Sequence, residues 1–266
     1  MLLRSVFTKT IRDLRWPTFW VSVGMGGMAG YFALLFPTYS KLVDMNDLLS
    51  KMGPAAKLLG ASVGDASSLV GFLHIELFSM ILPALMVTFA AGMASGFTAG
   101  EESRGTLDVL LSYPIARRRL ILEKSLALVI GSLVAAAAVW ILTIAGAAAS
   151  ASALPPGPMA AALTMLVLLG LAFAAIALAF AAATGNRAGA IGLAVGLMVV
   201  MYLVDALAAI VDGLGVVRPL SLFRYYMGGD PLRNGLNLAD AGVLVAVTAV
   251  FLALSLILFE RRDLAA

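Results

Sequence analysis

Residues 125–186 read SLALVIGSLVAAAAVWILTIAGAAASASALPPGPMAAALTMLVLLGLAFAAIALAFAAATGN and contain no charged side chain. A helix crosses the hydrocarbon core of a bilayer in about 20 apolar residues, so this run is too long for one crossing. Pro155, Pro156, Gly157 and Pro158 divide it, because consecutive prolines cannot donate helical hydrogen bonds. The reading is therefore two spans, about 125–149 and 159–183, followed by a tight turn at Thr184-Gly185-Asn186-Arg187.

Working outward, the same absence of charge marks the rest of the fold. An Arg or Asp at the centre of a spanning helix costs about 2.5–3.5 kcal/mol on insertion scales, so uncharged runs are informative. They predict further spans at about 16–36, 77–99, 188–211 and 241–259. Across all 266 residues, 62% are hydrophobic and 12% charged, against about 25% charged in a typical soluble domain. A mean hydropathy of +1.01 agrees. The expectation is an all-α polytopic membrane protein of six transmembrane helices, one domain over 1–266. Nothing alternates with period two, which argues against a β-barrel. With no cysteine, disulfides, thiolate nucleophiles and Cys-bound metals are excluded.

Six spans place both termini on one side, and the positive-inside rule says which. Arg4, Lys9, Arg12, Arg15, Arg104, Arg117, Arg118, Arg119, Lys124, Arg187, Arg261 and Arg262 fall on that face. Only Lys41, Lys51, Lys57, Arg218, Arg224 and Arg233 fall on the other, so cytoplasmic termini are expected. Trp16 and Trp20 suit an aromatic anchor at the inner interface. The first apolar run follows a long basic segment and has full spanning length, so no cleavable signal peptide is expected.

Between the spans, Leu2, Leu3, Val6, Phe7, Ile11 and Leu14 recur at helical spacing opposite Arg4, Lys9, Arg12 and Arg15. Residues 1–15 are expected to form an amphipathic helix on the inner leaflet that turns into span one near Pro17. Residues 41–60, with Leu42, Met45, Leu48, Leu49 and Met52, predict a second surface helix on the outer side. Residues 213–237 carry Leu220, Leu222, Phe223, Tyr225, Tyr226 and Met227. That is too apolar for a solvated loop, and predicts a partly inserted or gate-forming segment.

Several candidate sites follow. Residues 60–64 match G-x-S-x-G, but the nucleophile elbow needs a strand before it and a helix after it, so a flexible turn is the reading here. His74 is the only histidine, which removes the H-E-x-x-H zinc pattern; no catalytic or metal site is expected. Asp205 and Asp212 lie seven residues apart on one face of span five. Asp205 either relays protons or meets a cationic substrate in an ion-coupled carrier, or it pairs with an outer arginine such as Arg218 or reaches outward to water. Four Gly-x-x-x-Gly pairs, Gly26 and Gly30, Gly92 and Gly96, Gly185 and Gly189, Gly192 and Gly196, permit close helix approach inside the bundle. Gly192 and Gly196 are the candidates for a dimer face.

The most informative loop is residues 100–119, GEESRGTLDVLLSYPIARRR. Thr106 can cap a short helix, Asp108 favours its first turn, Leu107, Leu110 and Leu111 share a face, and Pro114 ends it. So small a helix has no core of its own, and its leucines require a partner or the membrane. Arg117, Arg118 and Arg119 also suit anionic lipid.

Residues 102–117 resemble the acidic-x-x-Gly-Thr-Leu-acidic-x-Leu-Leu-Ser-x-Pro-x-x-Arg segment of the type-two ATP-binding-cassette export permeases. Six spans, a basic N-terminal helix and an apolar segment before span six extend the likeness. The resemblance implies that Gly105, Thr106, Leu107, Leu110 and Leu111 belong to a coupling helix docking on a separate ATPase subunit, with Glu101 and Glu102 at the charged hinge beside it. It implies ATP and Mg bound by that partner and no cofactor in this chain. It also implies a second permease copy or paralogue, no nucleic acid, and a bacterial or archaeal plasma membrane. Residues 1–266 contain no G-x-x-x-x-G-K-[ST] phosphate loop, so ATP hydrolysis is assigned to the partner.

Overall fold

A computed structural model describes residues 6–42, 51, 68–103, 105, 116–208, 210–211 and 213–262, which form helices and the turns between them, with no strand among the described residues. The helices are α1 Val6–Leu42, α2 Leu69–Leu73 continued by a π-helical turn His74–Phe78, α3 Ile81–Gly96 and the short α4 Ala99–Glu102. They continue as α5 Arg117–Ala149, α6 Pro156–Thr184, α7 Arg187–Ala208, α8 Leu222–Met227, α9 Pro231–Asn234 and α10 Leu238–Arg261. Among the described residues five helices are long and apolar enough to cross a membrane, and six when the bent pair Leu69–Phe78 and Ile81–Gly96 counts as one span.

The helix α6 is the centre. Its most apolar window is 83% buried, against 17–44% for the other four unbroken spans. Its sequence is apolar all round, and such a helix is stable only when covered on every side. The helices α3, α5, α7 and α10 pack around it. Pro156 opens α6, where its missing N–H has no helical partner to lose, and Gly185 closes it in the left-handed region at φ 67.

The described part of the expected surface helix over 1–15 does not turn at Pro17. The helix α1 runs without interruption from Val6 through Pro17 and Pro37. Val6, Thr10 and Leu14 are buried, Phe7 and Ile11 pack on the core, and the Phe7 N–H donates to Glu123 Oε2 on α5 at 2.9 Å. The amphipathic face is covered by the chain itself. Pro17 removes one backbone hydrogen bond, but packing along α5 keeps the helix going. Trp16 and Trp20 stand on the uncovered face.

Close backbones hold α1 to α5. A Cβ added at Gly30 would stand 2.7 Å from the Leu142 carbonyl oxygen, and one at Gly26 3.1 Å from that of Ala138. A Cβ added at Gly146 would come closer still to the Gly30 backbone. The hydroxyl of Ser150 then donates to the Ala33 carbonyl at 3.0 Å.

The second span begins at Leu69 rather than near 77. The Ser68 hydroxyl accepts from the Gly71 N–H at 3.1 Å and starts the helix, so His74 and Glu76 lie within it. A 43° bend separates its halves. Pro83 cannot donate to the Ser79 carbonyl, and the π-helical turn precedes it, so two causes of bending coincide there.

Residues 213–237 fold back on the bundle. Two 3₁₀ turns, Leu214–Val216 and Arg218–Leu220, lead to α8, where Leu222, Phe223 and Tyr226 are buried while Leu220 stays exposed. The Tyr226 hydroxyl donates to the Phe78 carbonyl at 3.1 Å, beside the bend of the second span. Asn237 caps α10 by accepting from Ala239 and Asp240. The predicted surface helix at 41–60 and the pattern at 60–64 lie outside the described residues, apart from 41, 42 and 51.

Candidate functional site

Contacts between Phe7 and Glu123, Lys9 and Glu101, Arg187 and Gly92, and Arg262 and Glu102 bring the start of α1, the end of α3–α4, the start of α5, the α6–α7 turn and the end of α10 together. This basic end carries the roots of the 103–116 loop. After α3 the chain turns at Phe97 and Thr98 into α4, whose single turn aims Glu101 inward and Glu102 sideways.

Glu101 pairs with Lys124, whose side chain is only 3% exposed. The Lys124 ammonium also donates to the Phe97 carbonyl at 3.0 Å and lies 5.8 Å from the Phe97 ring centre. Lys9 adds a second cation, 3.7 Å from Glu101 Oε1. A cleft of about 230 Å³ opens beside this pair, with Thr10, Asp13 and Arg187 among its lining residues. Arg187 donates to the Gly92 carbonyl at 3.3 Å. An ion pair so little exposed is stable only with good geometry and further partners, and here it ties the end of one span to the start of the next.

Glu102 accepts from Arg262 Nη2 at 2.8 Å. On the far side of the loop, Arg117 Nη1 donates to the carbonyls of Phe259 at 3.1 Å and Arg262 at 3.2 Å, and Arg118 forms a two-bond fork with Glu260 at 2.6 and 2.9 Å. Gly105 is exposed, donates its N–H to the Glu102 carbonyl at 3.0 Å and adopts φ +64, a conformation open to glycine.

The remaining candidates are elsewhere. Thr106, Leu107, Leu110, Leu111 and Asp212 lie outside the described residues. Asp205, near the opposite end, accepts from Arg218 Nε at 2.8 Å. Gly192 and Gly196 are exposed on α7 with open space where a Cβ would stand. Glu101 and Glu102 therefore share one site, while Asp205 and the α7 glycines belong to others. Among the described residues no group of three or more His, Cys, Asp or Glu side chains could hold a metal ion.

Lys124, Lys9 and Arg262 were legible in the sequence only as basic residues of one face. Lys124 had a sharper signal: it directly adjoins the charge-free run, where an unpaired ammonium is costly. A comparison with curated proteins gives no match. A family model described as ABC-2 family transporter protein matches residues 7–264, nearly the whole chain, and with its apolar helices the chain thus belongs to the ABC-2 family of transmembrane permeases of ATP-binding-cassette transporters.

Proposed function

We propose that this permease is the membrane half of an ATP-driven exporter, and that a separate ATPase subunit docks on the 103–116 loop through Leu107, Leu110 and Leu111. The observation that carries the reading is the anchoring of the loop's two roots. Glu102 on one side and Arg117 and Arg118 on the other are fastened to the same helix end, so the loop is displayed from a braced base. The excess of Lys and Arg on that face supports a cytoplasmic orientation, where ATP is found. The permease works as a dimer with itself or a paralogue, for which the open face around Gly192 and Gly196 is suited. Pairing of Asp205 with Arg218 supports a structural role for that carboxylate over the ion-coupled alternative.

Cysteines introduced at Ser103 and Ser67 test the orientation that docking requires. In intact cells an impermeant thiol reagent should label the second and spare the first. Labelling of Ser103→Cys from outside would place the loop where no cytoplasmic ATPase reaches it.

A further inference from the structure

The last turn of α10 touches both ends of one loop. Phe259, Glu260 and Arg262 contact Glu102 before the loop and Arg117 and Arg118 after it. We propose that residues 259–262 are positioning residues for the ATPase: they clamp the two roots of the 103–116 loop and so set how it is presented; this rests on the docking reading above.

The clamp's parts are unequal. Phe259 is 1% exposed, which fixes the end of α10 in the core and gives the clamp a rigid base. Arg117 reaches from α5 to the Phe259 and Arg262 carbonyls, groups that the end of a helix leaves without intrahelical partners. Its guanidinium also stands 5.7 Å from the Phe259 ring centre. The fork between Arg118 and Glu260 is 65% and 36% exposed, so solvent screening makes it the weaker strand. Arg262 and Glu102 are 22% and 29% exposed, and it is this pair that reaches the first root. Among the described residues its other atoms, Glu102 Oε2 and Arg262 Nη1, have no hydrogen-bond partner, so one bond of a possible two is made.

Gly185 supplies an independent sign that Arg262 has a built seat. The guanidinium occupies the space that a Cβ at Gly185 would fill, and Gly185 is held at φ +67 by the end of α6. The α6–α7 turn thereby packs against Arg262. Movement of the inner end of α10 is then transmitted to both loop roots together, and the reverse.

The test uses the full permease in lipid nanodiscs with its ATPase, and a nitroxide on Ser103→Cys, an exposed position beside the first root. Arg262→Ala and Glu102→Gln should each raise label mobility in the permease alone, and weaken ATPase binding about tenfold, as loss of one charge-assisted bond would. The swapped pair Glu102→Arg, Arg262→Glu should restore both, which a general folding defect would not allow. Glu102→Gln keeps the side-chain size and carries the test if Arg262→Ala is not monodisperse. Unchanged mobility and binding in these variants, with binding still lost in Leu107→Asp, Leu111→Asp, would overturn the clamp and leave the docking reading standing. Raised mobility with binding intact in every variant, the leucine pair included, would overturn both docking and the clamp's role in it.

Discussion

Replacing Glu101 by Gln leaves the Lys124 ammonium in a place where its side chain is 3% exposed, with the Phe97 carbonyl and a neutral amide as acceptors and Asp13, which shares the cleft, acting on it only through space. Removing one member of a buried ion pair costs about 3–5 kcal/mol, because the remaining charge stays dehydrated. Lys124→Met leaves a different remainder. Glu101 keeps Lys9 at 3.7 Å and has an 11% exposed side chain, so the loss should be about 1–3 kcal/mol. The double variant Glu101→Gln, Lys124→Met removes both charges at nearly constant volume, a change that is often neutral. It should therefore be more stable than Glu101→Gln alone. Unfolding in mixed micelles, read as a double-mutant cycle, measures this directly. Losses that simply add, or a larger loss in Lys124→Met than in Glu101→Gln, would mean that the stranded Lys124 charge is not what costs stability.

Glycines that share a spacing should differ in their effects. Gly30→Leu should push α1 off α5 against the Leu142 backbone at a cost of about 1–3 kcal/mol or more, seen as lost monodispersity on heating. Gly192→Leu and Gly196→Leu should leave the single chain folded and reduce the size of the purified assembly; unchanged size and activity would remove α7 from the dimer face. Asp205→Asn breaks a pair whose side chains are 37% and 23% exposed, so stability should fall by no more than about 1 kcal/mol and ATP-driven transport should persist. Abolished transport in a fully assembled Asp205→Asn complex would revive an ion-coupled mechanism.

The helices were legible where one physical cost dominated. Charge is expensive in hydrocarbon, so the apolar runs around 125–149, 159–183, 188–211 and 241–259 mark helices α5, α6, α7 and α10. Their ends were less legible. Helix α5 extends back to Arg117 because charged residues outside the bilayer can still be helical, and the second span extends back to Leu69 because Ser68 caps it. Local chemistry alone puts a turn from a surface helix into span one near Pro17. Packing against α5, a helix far along the chain, outweighed that, and no local pattern announces such a partner. The same holds for the site. Glu101 and Glu102 stood out beside the loop, but their partners Lys124 and Arg262 depend on how α4 turns and where α10 ends.

The proposed function depends above all on recruitment of an ATPase by the loop between α4 and α5. Burial of a leucine contributes about 1.5–3 kcal/mol, so replacing two in a docking contact should weaken it by about 3–6 kcal/mol. The direct measurement is co-purification of the ATPase with Leu107→Asp, Leu111→Asp permease, alongside substrate-stimulated ATP hydrolysis. The variant permease should insert normally but retain no ATPase and stimulate no hydrolysis. Normal retention and normal hydrolysis in that variant would contradict that recruitment, and would make the loop an attachment to lipid.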